Sequence, residues 1–400
     1  MHYKYVSYTI ITALVFLILV VIYMFADYLY SQYLRYKAEY LMMKEQMGGV
    51  NGDVSRGNNK FCFDMGIGDK GDIVFSPLSI TFALSLLHLG ARGNTDKQLT
   101  ELFGHKYSVN ELNDIYTLFN NDVMRLTNAL IINEKYKVND QYMNMIKGLA
   151  LVENRDFGDG SLVVKRVNDY IDTNTKGLIK NILKQNDVSA STVMVLINTI
   201  YFKADWLHEF KHENTYKAPF RGIKGEVDMM KQTNSFNYYE NDKLQIIEMA
   251  YKNVEYVMGV ILPKGDAVPK LSNGEFGALV GKLGREIVEL HLPKFKHRKN
   301  VQLVPVLQKL GVTDLFNSKA DLEIAGRAYV SNVIHEAVVI VDERGTEAAA
   351  VTVIVMKEMA VGPEHRKTIV FRADHEFIYY IRHVPTNVVL FYGDFNGNLS

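Results

Sequence analysis

Three kinds of hydrophobic spacing alternate along the chain, and each predicts a different element. From Val6 to Ala26 no charged residue interrupts 21 positions, enough as a helix to cross a hydrocarbon core of about 30 Å. The run predicts a short tail over 1–8 and a transmembrane signal-anchor over 9–26. Lys4 ahead of it places the amino end on the cytoplasmic side and the body across the membrane. Met24-Phe25-Ala26 puts Met where a signal-peptidase site needs a small residue, which favours retention over the alternative of secretion after cleavage. Next, Ala26, Leu29, Tyr33, Tyr36, Tyr40, Met43 and Met47 recur at spacings of three and four. A coiled-coil seam is one reading; an amphipathic helix with tyrosines at the membrane interface is the better one, because Tyr packs poorly in a seam. Gly48, Gly49, Gly52 and Gly57 among Asn, Asp and Ser read as a flexible tether. Thus 27–58 is a juxtamembrane helix and tether, and 59–400 a folded domain.

Within the body, helical and strand patterns alternate without a regular βα repeat, which predicts an α+β fold. Ser76 is a helix cap with Pro77 in the first turn, and Leu78, Ile80, Phe82, Leu84, Leu86, Leu87 and Leu89 leave that helix few polar faces. Such a helix belongs beneath a sheet. Val195–Phe202, Tyr256–Leu262, Ala337–Val341 and the hairpin Phe377–Ile381 with Val388–Tyr392 have strand composition, the hairpin turning at Pro385-Thr386-Asn387. Leu303–Leu310 has helical spacing that Gly311 ends.

Composition narrows the function classes. Lys plus Arg equal Asp plus Glu at 45 each, so no global field draws the chain to nucleic acid. The single cysteine, Cys62 between two phenylalanines, excludes an internal disulfide framework and reads as a buried hydrophobe. Nucleophile-elbow, phosphate-loop and paired metal-ligand spacings are absent from the sequence, and its 11 histidines are scattered. The expectation is no catalytic site, no metal and no cofactor.

The segment Glu343-Arg344-Gly345-Thr346-Glu347-Ala348-Ala349-Ala350-Val351-Thr352 has almost no side chain large enough to anchor it. Drawn out as a strand, it would place Thr346, Ala348, Ala350 and Thr352 on one face, free of charge and proline, with Glu347, Ala349 and Val351 on the other. It is a strand held in reserve.

This segment resembles the reactive-loop hinge of the serpins, the serine protease inhibitor superfamily. Val74-Phe75-Ser76-Pro77-Leu78-Ser79, Asn198-Thr199-Ile200-Tyr201-Phe202-Lys203-Ala204-Asp205-Trp206, Gly259-Val260-Ile261-Leu262-Pro263, Leu292-Pro293-Lys294-Phe295 and Leu310-Gly311-Val312-Thr313-Asp314-Leu315-Phe316 resemble further serpin motifs in the family order. The resemblance implies a serpin fold: helices packed on a large central β-sheet, two smaller sheets and an exposed reactive-centre loop. It also implies a suicide substrate, cut in that loop, which traps a serine protease as an acyl-enzyme while the loop inserts into the central sheet.

Family spacing from Glu343 places the reactive bond at Met359-Ala360, bait for an elastase-like or chymotrypsin-like protease. Lys357 and Glu358 are the alternatives if the register slips. Arg366 or Lys367 would suit a trypsin-like enzyme, but would force a charge into the inserting segment. Ser76, Ser79, Asn198 and His335, with Trp206, match the cluster that holds the central strands closed. Two departures stand out: a loop about four residues longer than the commonest pattern, and Glu376 where the family has proline. No basic helix stands out over Phe103–Leu126, which argues against a glycosaminoglycan partner. The alternative function is a non-inhibitory serpin fold serving as a binding, carrier or structural membrane protein.

Overall fold

The structure, a computed structural model, describes residues 51–66, 72–265, 267–325, 328–346 and 368–398. In chain order its first elements are α1 (Asn51–Met65), β1 (Val74–Phe75), α2 (Pro77–Gly90), α3 (Gly93–Phe103), α4 (Val109–Phe119), β2 (Met124–Asn133), α5 (Asp140–Met145) and β3 (Leu151–Arg155). There follow α6 (Gly160–Asn174), β4 (Met194–Phe202), β5 (Ala204–Asp205), β6 (Tyr216–Pro219), β7 (Glu226–Glu240), β8 (Leu244–Ala250), β9 (Tyr256–Pro263) and α7 (Asn273–Val280). The last are β10 (Gly284–Pro293), β11 (Phe295–Gln302), α8 (Val304–Lys309), β12 (Asn332–Val341), β13 (Gly345–Thr346), β14 (Ile369–Arg372), β15 (Phe377–His383) and β16 (Val388–Phe395).

Two mixed sheets carry the architecture. The first has the order β3-β2-β4-β12-β13-β5, with β11 on β12, and its central neighbours β4 and β12 run parallel. The second has the order β1-β16-β15-β9-β8-β7-β10-β14, with β6 on β7. Where the family pattern implies two smaller sheets, hydrogen bonding here runs through the 15-residue β7 and joins them into one. The fold is the α+β arrangement that the pattern predicts.

Helix α2 forms as its sequence dictates: Ser76 Oγ accepts from the Ser79 amide, Pro77 fills the first turn, and nearly every side chain is buried. On the opposite face of the first sheet, α6 closes a core of Val163, Val167 and Ile171 over Ala129, Ile131, Val195 and Ile197. Helix α8 lies inside the predicted Leu303–Leu310, and Gly311 beyond it takes a left-handed φ of 96°. The hairpin turn likewise places Asn387 at φ 56°. Strand β12 begins five residues before the predicted Ala337, because His335 and Glu336 break the apolar run. Both are buried, and Glu336 is satisfied by Arg298 Nε at 2.5 Å and Asn300 Nδ2 at 3.0 Å.

The body starts earlier than composition suggests. Gly52 and Gly57, read as tether, lie inside α1. A Cβ on Gly57 would meet the Phe103 carbonyl oxygen at 2.5 Å, so this glycine serves close packing rather than flexibility. Asn58 Nδ2 donates to the Val389 carbonyl at 2.9 Å and Asn59 Nδ2 to that of Asn387 at 2.7 Å, docking α1 on the β15–β16 hairpin. Residues 1–50, and with them the 9–26 anchor, lie outside the described residues. Among the described residues no helix is long and apolar enough to cross a membrane.

Candidate functional site: the sheet seam and the hinge

Strands β4 and β12 pair from Val195–Ile200 to Asn332–Ala337 and stop, although both run further, to Phe202 and Val341. Beyond the paired section the space between them is entered from the other end by β13. Gly345 and Thr346 pair antiparallel with Asp205 and Ala204 of β5 on one side, and Thr346 with Val341 of β12 on the other. The hinge therefore already occupies the first two rungs of a strand whose path ahead is closed by the β4–β12 pairing.

Each seated hinge residue is held by a specific contact. The turn into β13 is tied by Asp342 Oδ1, which accepts from the amides of Arg344 (2.9 Å) and Gly345 (3.2 Å). A Cβ on Gly345 would lie 2.1 Å from the Ala204 carbonyl oxygen, so only glycine permits this approach. Thr346 is 1% exposed, its hydroxyl 2.7 Å from that of Tyr251. Glu343 is buried too; its carboxylate meets Lys294 Nζ at 2.8 Å, the Thr215 hydroxyl at 2.9 Å and His212 Nδ1 at 3.2 Å. Burial alone would raise the Glu343 pKa, but the hydrogen bonds led by Lys294 outweigh it and hold the carboxyl below its ordinary value. Trp206 completes the anchor. Its amide donates to the Arg344 carbonyl at 2.7 Å, its indole N–H to the Asp342 carbonyl at 2.9 Å, and its ring stacks on Tyr251 with centroids 4.5 Å apart.

Inside the paired section lies a row of neutral polar side chains. Register aligns Asn128 of β2, Asn198 of β4 and His335 of β12 across three adjacent strands. Asn198 Nδ2 donates to Asn128 Oδ1 at 2.6 Å. Asn198 Oδ1 accepts from the Ser79 hydroxyl at 2.7 Å and lies 2.8 Å from His335 Nδ1. The Ser76 amide donates to His335 Nε2 at 3.0 Å, so that nitrogen is the acceptor and Nδ1 carries the proton toward Asn198. Complete burial lowers the His335 pKa to about 3, a weaker hydrogen-bond effect from Asn198 opposing it, and the ring stays neutral.

The structure thus brings Ser76, Ser79, Asn198 and His335 together and sets Trp206 apart, at the hinge with Glu343, Gly345 and Thr346. Glu347, Ala348, Ala349, Ala350, Val351, Thr352, Met359 and Ala360 lie outside the described residues. Sequence reasoning missed Asn128, whose signal is an amide directly ahead of the apolar run Ala129-Leu130-Ile131-Ile132, and Lys294, which sits inside the quoted Leu292–Phe295 motif. Tyr251 and Thr215 carry no comparable signal. Glu376, where the family has proline, has its carboxyl pKa raised by burial and by the neighbouring charge of Asp394. No cluster of His, Cys, Asp and Glu among the described residues could hold a metal ion.

Comparison with known proteins follows this geometry. The family model described as Serpin (serine protease inhibitor) matches residues 56–397. An uncharacterised serpin-like protein of Acanthamoeba polyphaga mimivirus is 40% identical over 396 residues, covering 92% of this chain and 99% of that protein. The leukocyte elastase inhibitor of Sus scrofa is 32% identical over 377 residues, covering 85% and 98%. Among solved structures, uncleaved ovalbumin superposes with a TM-score of 0.74 at 26% identity, covering 86% of this chain and 99% of its own. The chain belongs to the serpin family.

Proposed function

We propose that the chain is a suicide-substrate inhibitor of serine proteases, held at a membrane by residues 9–26, with Met359-Ala360 as the scissile bond. The observation that carries this reading is the pair of seated hinge rungs, Gly345 and Thr346, above a seam that is still closed. A protease serine attacks the Met359 carbonyl, the Ala360 amine leaves, and the acyl ester remains on Met359. Freed at that end, Glu347 to Met359 extend the strand that Thr346 begins, exchanging the β4–β12 rungs for two new sets. About thirteen residues at roughly 3.3 Å each carry the ester on the order of 40 Å from where it formed. The inward face carries no charge from Thr346 through Met356, since Ala348, Ala350, Thr352, Ile354 and Met356 follow in alternation, and Glu358 beside the bond is the first charge on it. Met as bait, and the name of the Sus scrofa relative, favour an elastase-like target.

The test incubates the chain with elastase-like, chymotrypsin-like and trypsin-like proteases. A covalent complex that survives denaturation, with a new amino terminus at Ala360, is expected. Clean cleavage without complex would sink the inhibitory reading and leave a non-inhibitory binding protein. Ala350→Arg sharpens the test: the charge would enter the seam, so this variant should be cut at the same bond yet trap almost no protease.

A further inference from the structure

A cleft of about 900 Å³ opens between the ends of β8 and β9 and one face of α7, away from the residues used above. Helix α7 is fixed from its other side: Phe276 is buried, edge-on to Tyr380 at 4.9 Å and tilted against Phe63 of α1 at 5.0 Å. The face turned to the cleft is thus rigidly presented. Leu271 and Leu279, both half-buried, line it beside Pro263 and Pro269.

Around these apolar walls stand four lysines, Lys243, Lys264, Lys270 and Lys282, supplied by three separate stretches of chain. Lys264 Nζ lies 2.7 Å from Glu240, Lys282 Nζ sits over the Tyr239 ring at 5.3 Å, and the charge of Lys243 acts on Glu275. Among the described residues the carboxylates lining the cleft are Asp242 and Glu275. Glu275 is committed to its own helix, accepting from the Ser272 amide at 2.8 Å and hydroxyl at 2.7 Å. The cleft thus joins an ammonium rim to an apolar wall, at a volume ordinary for a small-ligand site.

We propose that this cleft binds an amphipathic anion, with its acidic head among the lysines and its alkyl or aryl tail along Leu271 and Leu279. A bare inorganic anion would answer the rim but leave the walls wet, and a neutral hydrocarbon would do the reverse. The same chemistry is offered by a free fatty-acid-like carboxylate and by an acidic phospholipid.

The full chain in phosphatidylcholine vesicles, exposed to a photoreactive diazirine decanoate, decides the matter by peptide mapping. A parallel arm places a photoreactive phosphatidylserine in the bilayer instead. Label confined to residues 263–282 is expected from at least one probe, and which probe labels identifies the source. Lys243→Glu with Lys282→Glu should reduce the label at least tenfold, as should Leu271→Ser with Leu279→Ser. These side chains are exposed or half-buried, so the fold is retained. Label elsewhere, label unchanged in both double variants, or competition by a heparin oligosaccharide as effective as that of unlabelled decanoate would each overturn the proposal.

Discussion

In the nine-stranded sheet a buried ion pair ties β8 to β15, whereas the row that links β2, β4 and β12 in the seven-stranded sheet is made of neutral amides, a hydroxyl and an uncharged imidazole. The buried Glu336 of β12 is paired toward Arg298 of β11. Glu248 on β8 takes Arg382 of β15 in a two-pronged pair, Nε at 2.7 Å and Nη2 at 2.8 Å, and accepts from the Tyr380 hydroxyl at 2.8 Å. Burial alone would lower the Arg382 pKa, but the Glu248 carboxylate overrides it and holds the value above the ordinary one. Gly259 of β9 makes the room: a Cβ there would sit 2.0 Å from the Tyr380 ring. Parting those strands would strand a charge in a low dielectric. Parting β4 from β12 strands only groups that can re-pair with an incoming backbone, at about 1–3 kcal/mol for each left unmet. One sheet is locked, and the other is closed and, on the proposed mechanism, exchangeable.

The contrast can be broken from either side. Arg382→Met leaves Glu248 buried without its partner and should cost about 3–5 kcal/mol. The expected result is a lower urea midpoint for plain unfolding, with no gain in loop-inserted protein; accumulation of an inserted form would erase the distinction between the sheets. Asn198→Ala removes the centre of the polar row and should cost about 1–3 kcal/mol. Here the product matters more than the size, because the protein should convert on warming to a more heat-resistant inserted form. Simple unfolding at the same rate as Arg382→Met would contradict the exchangeable seam.

Acid provides a graded version. With its folded pKa lowered to about 3 against an ordinary 6.5, His335 takes up its proton in the opened or unfolded state first. The stability owed to its neutral form is complete above about pH 6.5 and falls by about 1.4 kcal/mol per pH unit below that, until about pH 3. His88, His297 and His383, each lowered to about 4 by burial, add slopes of the same sign. His335→Gln, which can accept from Ser76 and donate to Asn198, should remove one proton's worth of the slope between pH 6 and 4. An unchanged slope would mean that the seam does not sense this residue. The smallest effect belongs to Asn128→Ala at the end of the row, where about 1 kcal/mol is expected and urea midpoints would resolve it.

Much of the fold was legible because it is local. The cap and proline of α2, the glycine that stops α8 and the alternation through the hinge are all set within a few residues. What escaped depends on partners distant in sequence. Gly57 reads as linker until Phe103 is placed against it. Trp206 is grouped by motif with Asn198 only eight residues earlier, yet the strand between carries it to the hinge. Asn128 looks like a misfit in an apolar strand until β4 brings Asn198 alongside. Nothing local says that Thr346 is already paired, because its partners lie on β5 and β12.

That last point sets a boundary for anyone wishing to graft another reactive loop onto this scaffold. Because Gly345 has no room for a side chain and Thr346 is already a sheet residue, grafts taken from other loops should begin at Glu347. A donor sequence that replaced the two residues before it would alter the scaffold instead of the bait.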